Sequence, residues 1–180
     1  MINDKVFAFE TDTVWGLGAD INSECAIKKI YELKHREATK PLILMSWSLE
    51  AILPYVEPLN AEVEEIAKKY LPGALTIIVK KSEKFPKYLN PEFDTVGFRI
   101  PNHTGFQNFC KANNLVLATT SANISNETPC KDRKEVEKKF KNHVEIIKKS
   151  ILEKNSETPS TIILMQDKGF KVLREGNIKF

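Results

Sequence analysis

Apolar and polar positions recur along this chain at two different periods, and the switches between them mark out its elements. Val6, Phe7, Ala8 and Phe9 form a short run that predicts a strand. Residues 10–18, Glu-Thr-Asp-Thr-Val-Trp-Gly-Leu-Gly, crowd polar side chains against apolar ones, a composition that suits the rim of a cavity. Ala26, Ile27, Ile30, Tyr31 and Leu33 then return at helical spacing, so a helix capped at Asn22 or Ser23 runs to about Lys34. Residues 42–45 read as a buried strand and 48–53 as a short helix. Residues 60–70 form a longer helix with Val63, Ile66, Ala67 and Tyr70 facing inward.

Pro72 and Gly73 break that pattern, and the β-branched run 75–80 predicts a central strand. Residues 81–94, polar and proline-containing, predict a surface loop, and 95–101 another strand. Within it Arg99 lies on the face opposite Phe98 and Ile100; solvent would suit it there, and an interior position would demand an anionic partner. Thr104 caps a predicted helix through Asn113 that buries Phe106, Phe109 and Cys110. The apolar strand 115–118 then runs straight into Thr119-Thr120-Ser121-Ala122-Asn123-Ile124-Ser125. Asp132 opens a Lys-rich helical stretch to Ser150 whose charges suit a solvated face. Strands over 159–165 and 170–173, joined by a turn at Asp167-Lys168-Gly169, close the chain. Strands alternating with helices early, and hairpin-linked strands late, predict an α/β fold with helices packed on a mixed parallel/antiparallel sheet.

Composition narrows this picture without redirecting it. A chain of 180 residues with 42% hydrophobic content has room for one domain with a full core, so a single domain over residues 1–180 is expected. The net charge of +3, from 27 basic and 24 acidic residues, makes no case for a nucleic-acid coat or a polybasic membrane anchor. Any basic patch must be local. Cys25, Cys110 and Cys130 are odd in number and lack metal-ligand spacing, and the opening Met-Ile-Asn-Asp-Lys lacks a secretory apolar core. Both features point to the reducing cytosol, and no apolar run approaches the ~20 residues of a membrane helix.

Several common chemistries lack their templates. There is no phosphate-binding P-loop, no H-E-x-x-H, no G-x-S-x-G elbow and no cysteine pair suited to zinc, and Gly16 and Gly18 make only a lone G-x-G. His35, His103 and His143 are scattered, which favours structural or exposed roles. What remains is cations (Lys34, Arg36, Lys40, Arg99, Arg174) and small hydroxyls (Thr13, Thr95, Thr119, Ser121, Ser160) at strand ends. The Lys34–Lys40 cations admit two readings: last-turn residues that oppose a helix macrodipole, or a phosphate or carboxylate site. The 119–125 segment likewise admits a ligand site beyond a strand's carboxyl end or a turn that satisfies its own backbone.

Seven pieces of the chain together resemble the YrdC-like family. They are residues 11–18, Lys34-His35-Arg36 with Lys40-Pro41-Leu42, Leu71-Pro72-Gly73-Ala74-Leu75-Thr76, residues 96–103, Thr120-Ser121-Ala122-Asn123-Ile124-Ser125, Pro159-Ser160-Thr161 and Arg174-Glu175-Gly176. The resemblance spans nearly the whole chain. It implies a twisted sheet around a large basic cavity, and a nucleotidyltransferase that makes threonylcarbamoyl-AMP and pyrophosphate from L-threonine, bicarbonate and ATP. The product would pass to a tRNA threonylcarbamoyl-transferase system that modifies adenosine 37. Lys34 and Arg36 would act catalytically; Arg36, Lys40, Thr95, Ser121 and Arg174 would hold ATP; Thr13, Arg99, Thr119 and Ser160 would hold threonine. No residue is assigned to a metal, and Mg2+ would arrive on the ATP phosphates. Weak RNA contact is compatible with this, and an RNA-binding module or a paralogue with another acceptor stands as the alternative. Against the family pattern, Glu10 stands for a proline, Ala74 for the second proline of P-G-P-x-T, Asn126 for a glycine, and Met45 for a histidine of some members. The chain opens almost directly on its first strand and ends without the additional domain of longer members, the expectation for a single-domain form.

Overall fold

The computed structural model describes residues 4–147 and 155–180. Its core is a nine-stranded mixed sheet in the order β7-β1-β2-β6-β3-β5-β4-β8-β9. The strands are β1 (Phe7–Phe9), β2 (Gly16–Asp20), β3 (Ile43–Met45), β4 (Leu75–Lys80), β5 (Thr95–Arg99), β6 (Leu117–Ser121), β7 (Glu145–Ile146), β8 (Thr161–Met165) and β9 (Phe170–Arg174). The β1/β7, β3/β5 and β4/β8 pairs run parallel, and the other five pairs run antiparallel. The expected α/β class is therefore the observed one.

β2 is one strand that sequence pattern does not reveal. Its two glycines break the alternation of a strand, yet all five residues are buried between β1 and β6. They are small because aromatic and methyl groups press on them: a Cβ at Gly16 would lie 2.6 Å from the Phe9 ring, and one at Gly18 2.9 Å from the Thr119 methyl. Only the turn ahead of β2 remains as the rim that composition suggests. β6 also runs further than its apolar pattern, through Thr119, Thr120 and Ser121, because β2 and β3 pair with it on either side.

Among the described residues five α-helices accompany the sheet: α1 (Glu24–Leu33), α2 (Leu49–Ile52), α3 (Ala61–Tyr70), α4 (Thr104–Ala112) and α5 (Arg133–Phe140). Ser23 caps α1 by accepting from the Ala26 amide, and Ala26, Ile27 and Ile30 turn inward. Asn60 caps α3 in the same way. For α4 the cap is His103, whose Nδ1 accepts from the Phe106 amide, rather than Thr104, which is the first helical residue. The period-2 geometry of β1 divides its side chains between two layers: Phe7 and Phe9 pack with Phe106 and Cys110, while Ala8 faces Trp15, Val136 and Phe140.

One expected helix is shortened. The Lys-rich stretch is helical only to Phe140; Lys141 takes φ 47°, a short 3-10 turn follows, and β7 then joins the sheet edge beside β1. Val144 and Ile146 pack partly buried against the core, and that apolar spacing belongs to a strand. Residues 148–150, the end of the expected helical stretch, lie outside the described residues. Residues 81–94 form the expected surface loop, exposed over most of its length and anchored from beneath by buried Phe85, Leu89 and Asn90. The Asn90 amide bonds both backbone groups of Leu42, accepting from its N–H (2.9 Å) and donating to its carbonyl (2.8 Å). This satisfies a buried residue just ahead of β3. Asn126, at the position of the family's glycine, takes φ 69°, a left-handed conformation that asparagine tolerates better than most residues.

Candidate active site

The turn between β1 and β2, the carboxyl ends of β5 and β6, and the segments flanking β8 converge on one cavity of about 350 Å3. Among the sequence-derived candidates, Thr13, Arg36, Arg99, Thr119, Ser121, Ser160 and Arg174 line it. Glu127 adds a carboxylate, which is paired with Lys139.

Arg99 is buried to 2% exposure at the end of β5, and its anionic partner is Asp12. Nη2 donates to Asp12 Oδ1 at 2.6 Å, Nη1 to Thr13 Oγ1 at 2.6 Å, and Nε to the Gly73 carbonyl at 2.8 Å. Asp12 Oδ1 also accepts from the Asn102 amide, at 3.1 Å. One guanidinium thus ties two loops together, and Asp12 links the first of them to a third at Asn102. Burial pushes its pKa down from the usual arginine value, and the Asp12 charge opposes that shift.

On the wall formed by β4, β8 and β9, Arg174 donates through Nε and Nη2 to the Ser160 carbonyl, at 3.0 and 2.8 Å. Ser160 Oγ lies 2.8 Å from Thr76 Oγ1 and 3.2 Å from Arg174 Nη2. Gly176 packs directly behind this segment: a Cβ there would overlap the Pro159 carbonyl and the backbone of Ser160 and Thr161. Gly176→Ala is accordingly expected to lower stability by about 1–3 kcal/mol. Chemical denaturation checks this, and an unchanged midpoint would show that the segment relaxes freely.

Arg36, also in the lining, folds back on its own loop, with Nη2 on the Pro41 carbonyl at 3.0 Å and Nε on the Lys40 carbonyl at 3.4 Å. Burial lowers the pKa of both Arg36 and Arg174. Both stay cationic at neutral pH. Lys34 is wholly buried, and its Nζ donates to the carbonyls of Ser121 (2.5 Å) and Asn123 (2.6 Å). Its pKa is lowered to about 7, first by burial and then by the nearby Arg36 charge.

Three candidates stand outside the lining. Lys34 lies beneath the cavity rather than in it. Lys40 sits beside the lining residue Pro41, with its ammonium 3.7 Å from Glu37. Thr95 pairs with Lys80 at the start of β5, whereas Arg99 at the other end of that strand reaches the cavity. A strand of five residues separates its ends by ~13 Å. Asp12, Thr76 and Asn123 belong to this site without having been singled out by sequence. For Asp12 a signal existed, since a strand arginine facing inward requires a carboxylate. Among the described residues no cluster of three or more His, Cys, Asp or Glu could hold a metal, and no helix is long and apolar enough to cross a membrane.

The chain belongs to the Sua5/YciO/YrdC family, whose model, described as "Telomere recombination", matches residues 1–176. Among similar curated proteins is a threonylcarbamoyl-AMP synthase of Klebsiella pneumoniae, 34% identical over 140 residues, which cover 77% of this chain and 74% of that one. Another of that name, from Buchnera aphidicola, is 36% identical over 164 residues, covering 89% and 92%. The P. abyssi Sua5 structure complexed with L-threonine superposes with a TM-score of 0.88 at 34% identity. It covers 96% of this chain, which in turn spans about half (51%) of that structure's chain. E. coli YciO shares the fold, with a TM-score of 0.85 at 23% identity.

Proposed function

We propose that this protein is an L-threonylcarbamoyladenylate synthase: a nucleotidyltransferase that uses L-threonine, bicarbonate and ATP to form threonylcarbamoyl-AMP and pyrophosphate. The product is the activated donor for N6-threonylcarbamoyladenosine at position 37 of tRNA, consumed by a transferase system in the same cytoplasmic compartment. The observation that carries this reading is one cavity lined by Arg36, Arg99 and Arg174 together with the hydroxyls of Thr13, Thr76, Thr119, Ser121 and Ser160. Relatives that share a third of its residues are named for this activity or for a threonine complex.

In this mechanism the threonine amine and bicarbonate give a carbamate and water. A carbamate oxygen then attacks the α-phosphorus of ATP and pyrophosphate departs. Thr13, Arg99, Thr119 and Ser160 orient the amino acid, with its carboxylate turned away from the phosphorus. Arg36, Ser121 and Arg174 receive the nucleotide, and Lys40 reaches the outer phosphates from the rim. The lining contains no carboxylate cluster, so Mg2+ would ride on the phosphates and supply charge neutralisation there. No covalent nucleophile is needed, because holding two reactants in line contributes several orders of magnitude by proximity alone.

Incubation with ATP, Mg2+, threonine and labelled bicarbonate tests this directly. A labelled adenylate should form, and pyrophosphate release should require threonine and bicarbonate together while proceeding without tRNA. Pyrophosphate in bicarbonate-free buffer would instead indicate attack by the threonine carboxylate, and strict dependence on tRNA would exclude a free intermediate. An RNA-binding module would release none. Within the working enzyme, Arg36→Ala is expected to weaken nucleotide binding by about 1.5–3 kcal/mol, the range of a charge-assisted hydrogen bond. Calorimetry with the folded variant reads this, and an unchanged affinity removes Arg36 from the nucleotide site.

A further inference from the structure

Lys34 is buried as Arg99 is, but in place of a carboxylate its amine meets the end of β6 and the turn that follows it. Nζ donates to the Ser121 carbonyl at 2.5 Å, the Asn123 carbonyl at 2.6 Å and, more distantly, Asn123 Oδ1 at 3.5 Å. The Lys34 carbonyl accepts from the Ser125 amide at 2.8 Å, so backbone and side chain grip the same turn from both ends. Asn123 completes the arrangement, taking the Ser121 hydroxyl on Oδ1 (2.5 Å) and donating Nδ2 to the Ile124 and Glu127 carbonyls (2.7 and 3.0 Å). Ser121 and Asn123 line the cavity, and Lys34 does not.

Lys34 forms no ion pair among the described residues. A buried amine without a carboxylate is held by neutral oxygens, here two carbonyls at short range and an amide oxygen at 3.5 Å. These contacts direct Nζ to the turn.

We infer that Lys34 is a positioning residue: its buried amine holds the Ser121–Asn123 turn and thereby fixes where Ser121 and Asn123 stand in the cavity wall, without contacting the nucleotide. The inference rests on the adenylate-forming reading for what occupies the cavity, but its geometric part concerns the ligand-free protein. It reassigns the first cation of Lys34-His35-Arg36 from the reaction to the framework.

Two measurements test it. In ligand-free protein, hydrogen exchange at the Ala122, Asn123 and Ser125 amides should quicken on the order of tenfold or more in Lys34→Met, and stay unchanged in Arg36→Met. In calorimetric titrations with AMP, ADP and ATP, Lys34→Met should weaken all three by the same factor. Asn123→Ala added to Lys34→Met should cost little more, because both act through one turn. Lys34→Gln, which keeps donors but no charge, supplies a milder variant that should recover part of the loss and remains usable if Lys34→Met does not fold. A loss that grows with the number of phosphates would overturn the inference, as would unchanged exchange in the turn. Failure of the unmutated protein to bind any adenine nucleotide would refute the functional reading instead, and the exchange result would still decide the position of Lys34.

Discussion

Replacing Asp12 with alanine is expected to destabilise the protein by about 3 kcal/mol, the lower end of the cost of removing one partner from a buried ion pair. Arg99 is 2% exposed, and its guanidinium would be left with the Thr13 hydroxyl and the Gly73 carbonyl as its neutral acceptors. Burial already depresses the arginine's pKa, and the Asp12 carboxylate is the largest influence restoring it. Because the Asp12 side chain retains 18% exposure, water can offset part of the loss, which is why the lower figure applies. For a chain of this size, 3 kcal/mol corresponds to a fall in melting temperature of roughly 6–12 °C. Calorimetric melts of Asp12→Ala and Asp12→Asn would read it, and a change under about 1 °C in both would show that the charge is compensated elsewhere. The exposed Lys5–Glu145 pair, with both side chains nearly half accessible, is the control: breaking it should change stability by less than about 1 kcal/mol.

The second large effect appears as a pH dependence. Lys34 carries a pKa lowered from the ordinary lysine value of 10.5 to about 7 in the folded protein. Between these values the unfolded chain binds the proton and the folded protein sheds it. The unfolded state therefore binds more protons, and stability rises with pH across that window. The Lys34 contribution is present in full above the unfolded value and is lost as pH falls through about 7. Lys34→Met removes the titration while leaving the rest of the chain unchanged. The stability difference between the unmutated protein and this variant should thus shift in favour of the former by up to about 1.4 kcal/mol per pH unit above neutrality. Urea denaturation at a series of pH values measures it. A difference that stays flat from neutral to alkaline pH would mean that Lys34 titrates as an ordinary lysine.

Burial of a charge in this protein is a tertiary matter, and these two residues illustrate why. Arg99 sits in a strand pattern that assigns its face but not what covers that face, and the period-2 rule is satisfied equally by solvent and by a cavity wall. The partner lies 87 residues away in sequence, in a turn whose composition suits a rim. Lys34 is harder still. At the end of a helix a lysine normally opposes the macrodipole from solvent, and nothing local distinguishes that placement from one beneath β6. Its acceptors are backbone carbonyls, and these leave no mark on residue type.

Amphipathic spacing by itself determined α1, α3, β3, β4, β5 and the β8–β9 hairpin, because each buries one stripe or both faces in a simple periodic way. The motif pieces determined the family, since their order and spacing survive substitution at Glu10, Ala74 and Asn126. Asn126 adopts a left-handed backbone, a conformation that glycine also takes freely. Tertiary structure alone decided β2, whose glycines hide a central strand under the Phe9 ring, and β7, whose short pairing is stabilised by the neighbouring β1 edge. It also decided which cations reach the cavity. Arg36, Arg99 and Arg174 come from elements brought together by sheet order, while Thr95, on the same strand as Arg99, lies a strand length away. Residue type and spacing predict an anion-handling surface; the crossing of strands from distant parts of the chain selects which of those side chains line the cavity.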